Sequence, residues 1–186
     1  MQVLLRVLLV ALLSLSCAAH AAGQTGGQDD PVEREIAAAY LYKFASYIEW
    51  PEGTFASDHS PMVIGVVGAG RLADAVAKMV AGKTANGRPL VVRKLRGGEG
   101  VDGVHILFVG RMGHDATAAT FAAAQGRPVL IVSASPQARA LGSMINLVMV
   151  DRRLRFEVAL RPAARNGIRF SALMLTAAYA VAQESP

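Results

Sequence analysis

Cysteine is nearly missing from this chain: Cys17 is the only one in 186 residues. A single thiol closes no intrachain disulfide and builds no Cys-rich zinc site. Signatures of catalysis are missing too. His59, His105 and His114 stand at no metal-ligand spacing such as HExxH, and there is no G-x-S-x-G nucleophile elbow. Gly (18) and Pro (8) show no collagen-like or low-complexity excess, and a 53% hydrophobic composition excludes disorder. Charge is sparse at 18% and modestly basic, with 19 Lys+Arg against 14 Asp+Glu and a net charge of +5. The cations form no block: Arg93-Lys94-Arg96 and Arg152-Arg153-Arg155 are short and separated, and Arg161, Arg165 and Arg169 are spread out. A nucleic-acid surface needs clustering, so no nucleic acid is expected, and the excess is read as a surface for an acidic protein patch or a small anion.

What is present begins with an export pattern. Arg6 precedes the apolar run Val7 to Leu13, which is too short to span a bilayer, and Ala19-His20-Ala21 offers the small-x-small pattern that signal peptidase cleaves. Residues 1–21 are expected to be a signal peptide cleaved near Ala21, giving a periplasmic or secreted protein. Lipidation of Cys17 is the competing reading, against which Ser14 stands where a lipobox usually has Leu. Residues 22–30, containing GQTGGQDD, hold no apolar anchor beyond Ala22 and read as a flexible leader. One domain over 31–183 follows, because neither a repeat nor a second core is visible.

Within that domain, Asp29 or Asp30 is placed to cap a helix from about Val32 to Ile48, with Ile36, Ala39, Tyr40, Phe44 and Tyr47 as its buried stripe. Trp50-Pro51 stops it. Strands are expected at 62–67, 90–95, 105–109, 129–133, 144–150 and 154–160, and helices at 72–81, 116–124 and 136–140. Apolar runs such as VIGVV, HILFV and VLIV suit strands covered on both faces. The expected fold is α/β: a three-layer αβα sandwich around about six mostly parallel strands. Asp151-Arg152-Arg153 between MINLVMV and LRFEVAL predicts a C-terminal antiparallel hairpin, and a last helix is expected from about Phe170 to Gln183.

Two groups of residues invite function. Gly68-Ala69-Gly70-Arg71-Leu72-Ala73 follows a strand and opens a helix, as a dinucleotide fingerprint does. Arg93 and Lys94 end the next strand in place of the acidic residue that would hold a ribose, so no nicotinamide cofactor is expected; a tight βα turn explains the glycines as well. An anion at that helix start would use Gly68, Gly70 and Arg71, with His105 and Ser133 as further ligand candidates. The second group is aromatic: Tyr40, Tyr42, Phe44, Tyr47 and Trp50 gather on the first helix, as core packing or as an interaction face. Glu157 and Arg155 belong either to a solvated strand face or to a partner contact.

The order AAAYLYKFASYIEWP (37–51), VIGVVG (63–68), HILFVG (105–110), GSMINLV (142–148) and RLRFEVALRPAARNGIRFSALMLTAA (153–178) resembles the YfiR/HmsC-like family of periplasmic proteins. That resemblance implies a small α/β sandwich without catalytic activity. It implies a repressor that binds the periplasmic sensor region of an inner-membrane diguanylate cyclase and lowers cyclic-di-GMP signalling and biofilm formation. An outer-membrane lipoprotein that sequesters the repressor is an implied second partner, and a homodimer is one form open to it. Positions that match the family are Tyr40, Lys43, Phe44, Trp50, Pro51, Gly68, His105, Gly142, Phe156, Glu157, Gly167 and Ser171. With Arg155 and Arg169 added, Tyr40, Lys43, Phe44, Trp50, Pro51, Glu157 and Ser171 form the expected partner-binding set. Two departures stand out: Val104 where the family often has Cys before the strand His, and Ala159 in place of the family's Asn. Disulfide-dependent control is thereby excluded for this chain. A small-molecule binding module for an anionic ligand or nucleotide is the alternative function, and neither a metal nor a cofactor is expected.

Overall fold

The structure is a computed structural model describing residues 30–183. The expected signal peptide with Cys17, and the leader as far as Asp29, lie outside the described residues. Helix α1 (Pro31–Tyr47) is capped by Asp30, whose carboxylate accepts the Val32 N–H at 2.7 Å, and Pro31 at its start has no N–H to leave unpaired. Its buried residues are Ala37, Ala38, Leu41, Phe44 and Ala45. The expected stripe is thus rotated, and Ile36 is exposed. The small alanines bring the α1 backbone close to its neighbours, which turns the bulkier Ile36 outward.

The chain continues through β1 (Ile48–Glu49), β2 (Met62–Val67), α2 (Gly70–Val80), β3 (Thr84–Ala85), β4 (Arg88–Leu95), β5 (Ile106–Val109) and α3 (His114–Ala124). Then come β6 (Leu130–Ser133), α4 (Pro136–Ala140), β7 (Ile145–Val150), β8 (Arg153–Ala159), α5 (Leu160–Arg165), β9 (Arg169–Phe170), α6 (Ala172–Ala177) and β10 (Ala180–Ala182). The main sheet has the order β10-β8-β7-β6-β5-β2-β4-β3, and β1 pairs with β9 in a separate ribbon. Strands β4, β2, β5, β6 and β7 are parallel; β8 turns back antiparallel on β7, as the hairpin pattern predicts. Its two-residue loop puts Asp151 (φ 47) and Arg152 (φ 58) in the left-handed region, the backbone of a type I′ turn.

Helices cover both faces. Leu72 of α2 and Ala37 of α1 line one small pocket with Phe108 and Leu147, and on the other face Phe121 of α3 and Pro162 of α5 line a cleft with Ile131 and Met144. Every residue of β5 and β6 is buried, which explains their unbroken apolar sequence. The sheet has eight strands rather than six because β3 and β10 are too short to show a period. The expected C-terminal helix is also corrected: α6 stops at Ala177, and the Tyr179 N–H donates to the Phe156 carbonyl at 2.8 Å, drawing β10 onto the free side of β8. Pairing of that otherwise open strand outweighs the helical preference of the Ala-rich tail.

Candidate functional site

The strand order reverses between β2 and β5, whose carboxyl ends carry the Gly68 and Gly110 loops. In open α/β sheets this position forms a crevice. Here the loops close on each other: a Cβ on Gly110 would lie 2.3 Å from the Gly68 carbonyl oxygen, and one on Gly68 would lie 2.6 Å from Met112 Cγ. Gly68 also has φ +68, which a side chain rarely adopts. The glycine pair therefore serves loop contact. Gly70 has open space around it, and Arg71 lies exposed on the first turn of α2. The cations of β4 are engaged elsewhere: Lys94 pairs with Asp74 at 2.6 Å, and Arg93 donates to the Asp102 and Gly100 carbonyls at 2.9 and 3.1 Å.

The ligand candidates do not converge. Ser133 is fully buried two strands from Gly68; its hydroxyl donates to the Val109 carbonyl at 2.6 Å and accepts the Ser135 N–H. His105 precedes β5 and so lies at the opposite end of the sheet from Gly68. It is buried, with Nδ1 accepting the Val63 N–H at 3.0 Å. Its ring stacks on Phe55 at 4.5 Å and meets Trp50 edge-on at 6.0 Å, while the Arg88 guanidinium lies 3.9 Å over the other ring of the stack, Phe55. Burial pushes the imidazole below its ordinary value, a hydrogen bond to the Thr54 backbone opposes this, and the Arg88 charge adds to the lowering. The stack pins the long β1–β2 connection, with Arg88 donating to the Ser57 and Ser60 carbonyls. Val104 fills the space beside Gly65, where a Cβ would come within 2.9 Å of Val104 Cγ1.

The expected partner residues divide into core and surface. Phe44 is buried, and with Tyr40 and Phe156 it forms three ring contacts between 5.2 and 5.7 Å that join α1 to β8. The Tyr40 hydroxyl donates to the Leu154 carbonyl at 3.0 Å. Trp50 belongs to the His105 stack, Pro51 abuts Gly167, and Ser171 caps α6 by accepting the Met174 N–H. Lys43, Arg155 and Arg169 are exposed, Arg169 pairing with Glu49 at 3.2 Å.

Glu157 stands on a polar rung that crosses the sheet. Ser133 pairs with Asn146, and Asn146 with Glu157. Arg139 of α4 ion-pairs with Glu157 at 2.9 Å, and Ser143 hydrogen-bonds Asn146 Oδ1. Sequence reasoning missed Asn146, Arg139 and Asn166; the buried Asn166 amide bonds to Ala124, Gly126 and Val129. Asn146 is signalled only as a single polar residue in the apolar run MINLVMV, and Arg139 and Asn166, in mixed segments, carry no such signal. A shallow cleft of 540 Å³ lies over α3 and α5, and a second of 390 Å³ lies where the start of α1 meets the β7–β8 turn.

No curated protein matches the sequence significantly. The profile of a family described as YfiR/HmsC-like matches residues 34–179, from the first turn of α1 to the residue before β10. The match takes in the aromatic joint of α1 and β8, the His105 stack and the Glu157 rung, and by it the chain belongs to the YfiR/HmsC-like family.

Proposed function

We propose that this protein is a periplasmic, non-enzymatic regulator that restrains an inner-membrane diguanylate cyclase through that enzyme's periplasmic sensor region. The family match over residues 34–179 carries this reading. Restraint works by occupancy: the regulator binds the inactive form of the sensor region better than the active one, and the difference in affinity sets how far the equilibrium moves. Sequestration by an outer-membrane lipoprotein would empty the sensor region and release the enzyme.

The side chains available for contact are Lys43, Arg155 and Arg169, which are exposed, whereas Glu157 is largely covered in its pair with Arg139. Ser133, His105 and Ser171 support the reading from another direction, since the hydrogen bonds of each serve the fold. Deleting the gene is expected to raise cellular cyclic-di-GMP and biofilm mass. An unchanged nucleotide level, in a host that expresses the protein and a membrane cyclase, would overturn the reading. The exported protein is expected to begin near Ala22 by intact mass, and a diacylglycerol adduct on Cys17 would replace cleavage by anchoring.

A further inference from the structure

Three large apolar side chains lie on one open face, among them Ile36 from the expected buried stripe of α1. Val32 (66% exposed) and Ile36 (38%) project from the first two turns of α1, and Met149 (45%) from the end of β7. Together they line the 390 Å³ cleft. Arg152, Arg153 and Arg155 line the same cleft, and among the described residues none of the three has an ion-pair partner. Asp30 and Glu33 are the acids on this rim. Asp30 is occupied with its cap bond to Val32, and Glu33 is held by burial, and next by Asp30, above the ordinary carboxyl range.

An apolar floor with an arginine rim is an interface pattern, since arginine and methionine are enriched where proteins meet and a patch of this kind is rarely left to solvent. The chain's own flank is a poor occupant: residues 23–29, GQTGGQD, hold no apolar side chain to fill the floor. A second copy would bring the same three arginines against these. We propose that this cleft receives an acidic amphipathic helix of a partner protein, its apolar ridge on Val32, Ile36 and Met149 and its carboxylates on Arg152, Arg153 and Arg155. The regulator reading supplies the identity of the protein that carries the helix; binding of such a helix does not depend on it.

The test uses the exported protein, isotopically labelled, and three probes. These are an 18-residue peptide with Leu at i, i+3, i+4 and i+7 and Glu elsewhere, its Lys counterpart, and phosphatidylglycerol vesicles. The Glu peptide is expected to shift the methyl signals of Val32, Ile36 and Met149. The variant R152E/R153E/R155E should bind it at least tenfold more weakly, and Glu33→Gln should bind it more tightly, each with an unchanged circular dichroism spectrum. Met149→Ser supplies a milder variant that keeps every charge and should weaken binding as well. Equal binding of the Lys peptide, shifts that map elsewhere, or binding to the vesicles in preference to the peptide would overturn the proposal. Peptide binding with no cyclic-di-GMP change on gene deletion sinks the cyclase reading alone; a cyclic-di-GMP rise with no peptide binding sinks this inference alone.

Discussion

His105 holds the start of β2 with its ring in one protonation state. Nδ1 accepts the Val63 N–H, so the imidazole proton has to sit on Nε2, toward the Thr54 backbone. Protonating the ring would set an N–H against an N–H beneath Phe55 and beside the Arg88 charge. Because the folded pKa lies below the ordinary imidazole value, the unfolded chain takes up the proton first. The contribution of His105 to stability is therefore complete above about pH 6.5 and is lost as the pH falls below that toward the folded value. The urea midpoint should drop between pH 7 and pH 5, and His105→Gln, which keeps a polar side chain, should flatten that slope; a slope equal to that of the parent protein would refute the account. In the sequence this residue was visible only as a histidine opening an apolar strand. Its partners Phe55, Trp50 and Arg88 come from distant segments, so neither periodicity nor spacing could bring them together. The Gly68 motif failed differently. Its glycines were legible, yet the reason for Gly68 is the Gly110 loop some forty residues on, and Gly70 has open space.

Among the elements, the long periodic or unbroken apolar ones were legible and the short ones were not. Strands β2, β5 and β6 fall where unbroken apolar runs lie between turn residues, because burial on both faces leaves that pattern, and β8 falls where apolar and polar residues alternate. Helix α1 was found with its cap but with Ile36 on the wrong side, since an Ala-rich helix offers two possible stripes and only the packing partner selects one. Strands β1, β3, β9 and β10, each of two or three residues, exist only through their pairing and leave no period. Asn166 shows how such segments are tied down: its amide accepts the Gly126 N–H at 3.2 Å and donates to the Ala124 and Val129 carbonyls at 3.1 and 3.3 Å, joining α5 to the end of α3 and the start of β6. Asn166→Ala leaves those buried backbone groups unpaired and should cost about 1–3 kcal/mol. Chemical denaturation measures this, and a loss below about 0.5 kcal/mol would mean that water replaces the amide.

For the whole molecule, the α/β alternation prescribed a covered, mostly parallel sheet, while the strand order depended on where the crossovers lead. Strands β5 and β6 have sheet neighbours on both sides and helices on both faces; β3 and β10 are the rims. Native-state hydrogen exchange should accordingly protect Leu107, Phe108, Ile131 and Val132 to the global unfolding free energy, whereas Val181 and Ala182 exchange through local opening. Rim amides as slow as those of β5 would mean that another element covers that edge. The candidate surface was the least legible part. Its residues come from both ends of the domain and meet only because β7 and β8 run out beside the start of α1.

The turn that joins β7 to β8 sets an opposition between folding and binding. A type I′ turn favours Asn-Gly or Asp-Gly, and a residue other than Gly, Asn or Asp held in the left-handed region costs about 1–2 kcal/mol. Asp151 suits the first of its two central positions, whereas Arg152 is held in the second, where glycine is preferred. A sequence selected for stability alone would drift toward glycine at 152 and lose a cation from the rim of the cleft. Arg152→Gly should therefore raise the urea midpoint while weakening binding of the acidic peptide, and a variant that gains stability with unchanged peptide affinity would refute the opposition.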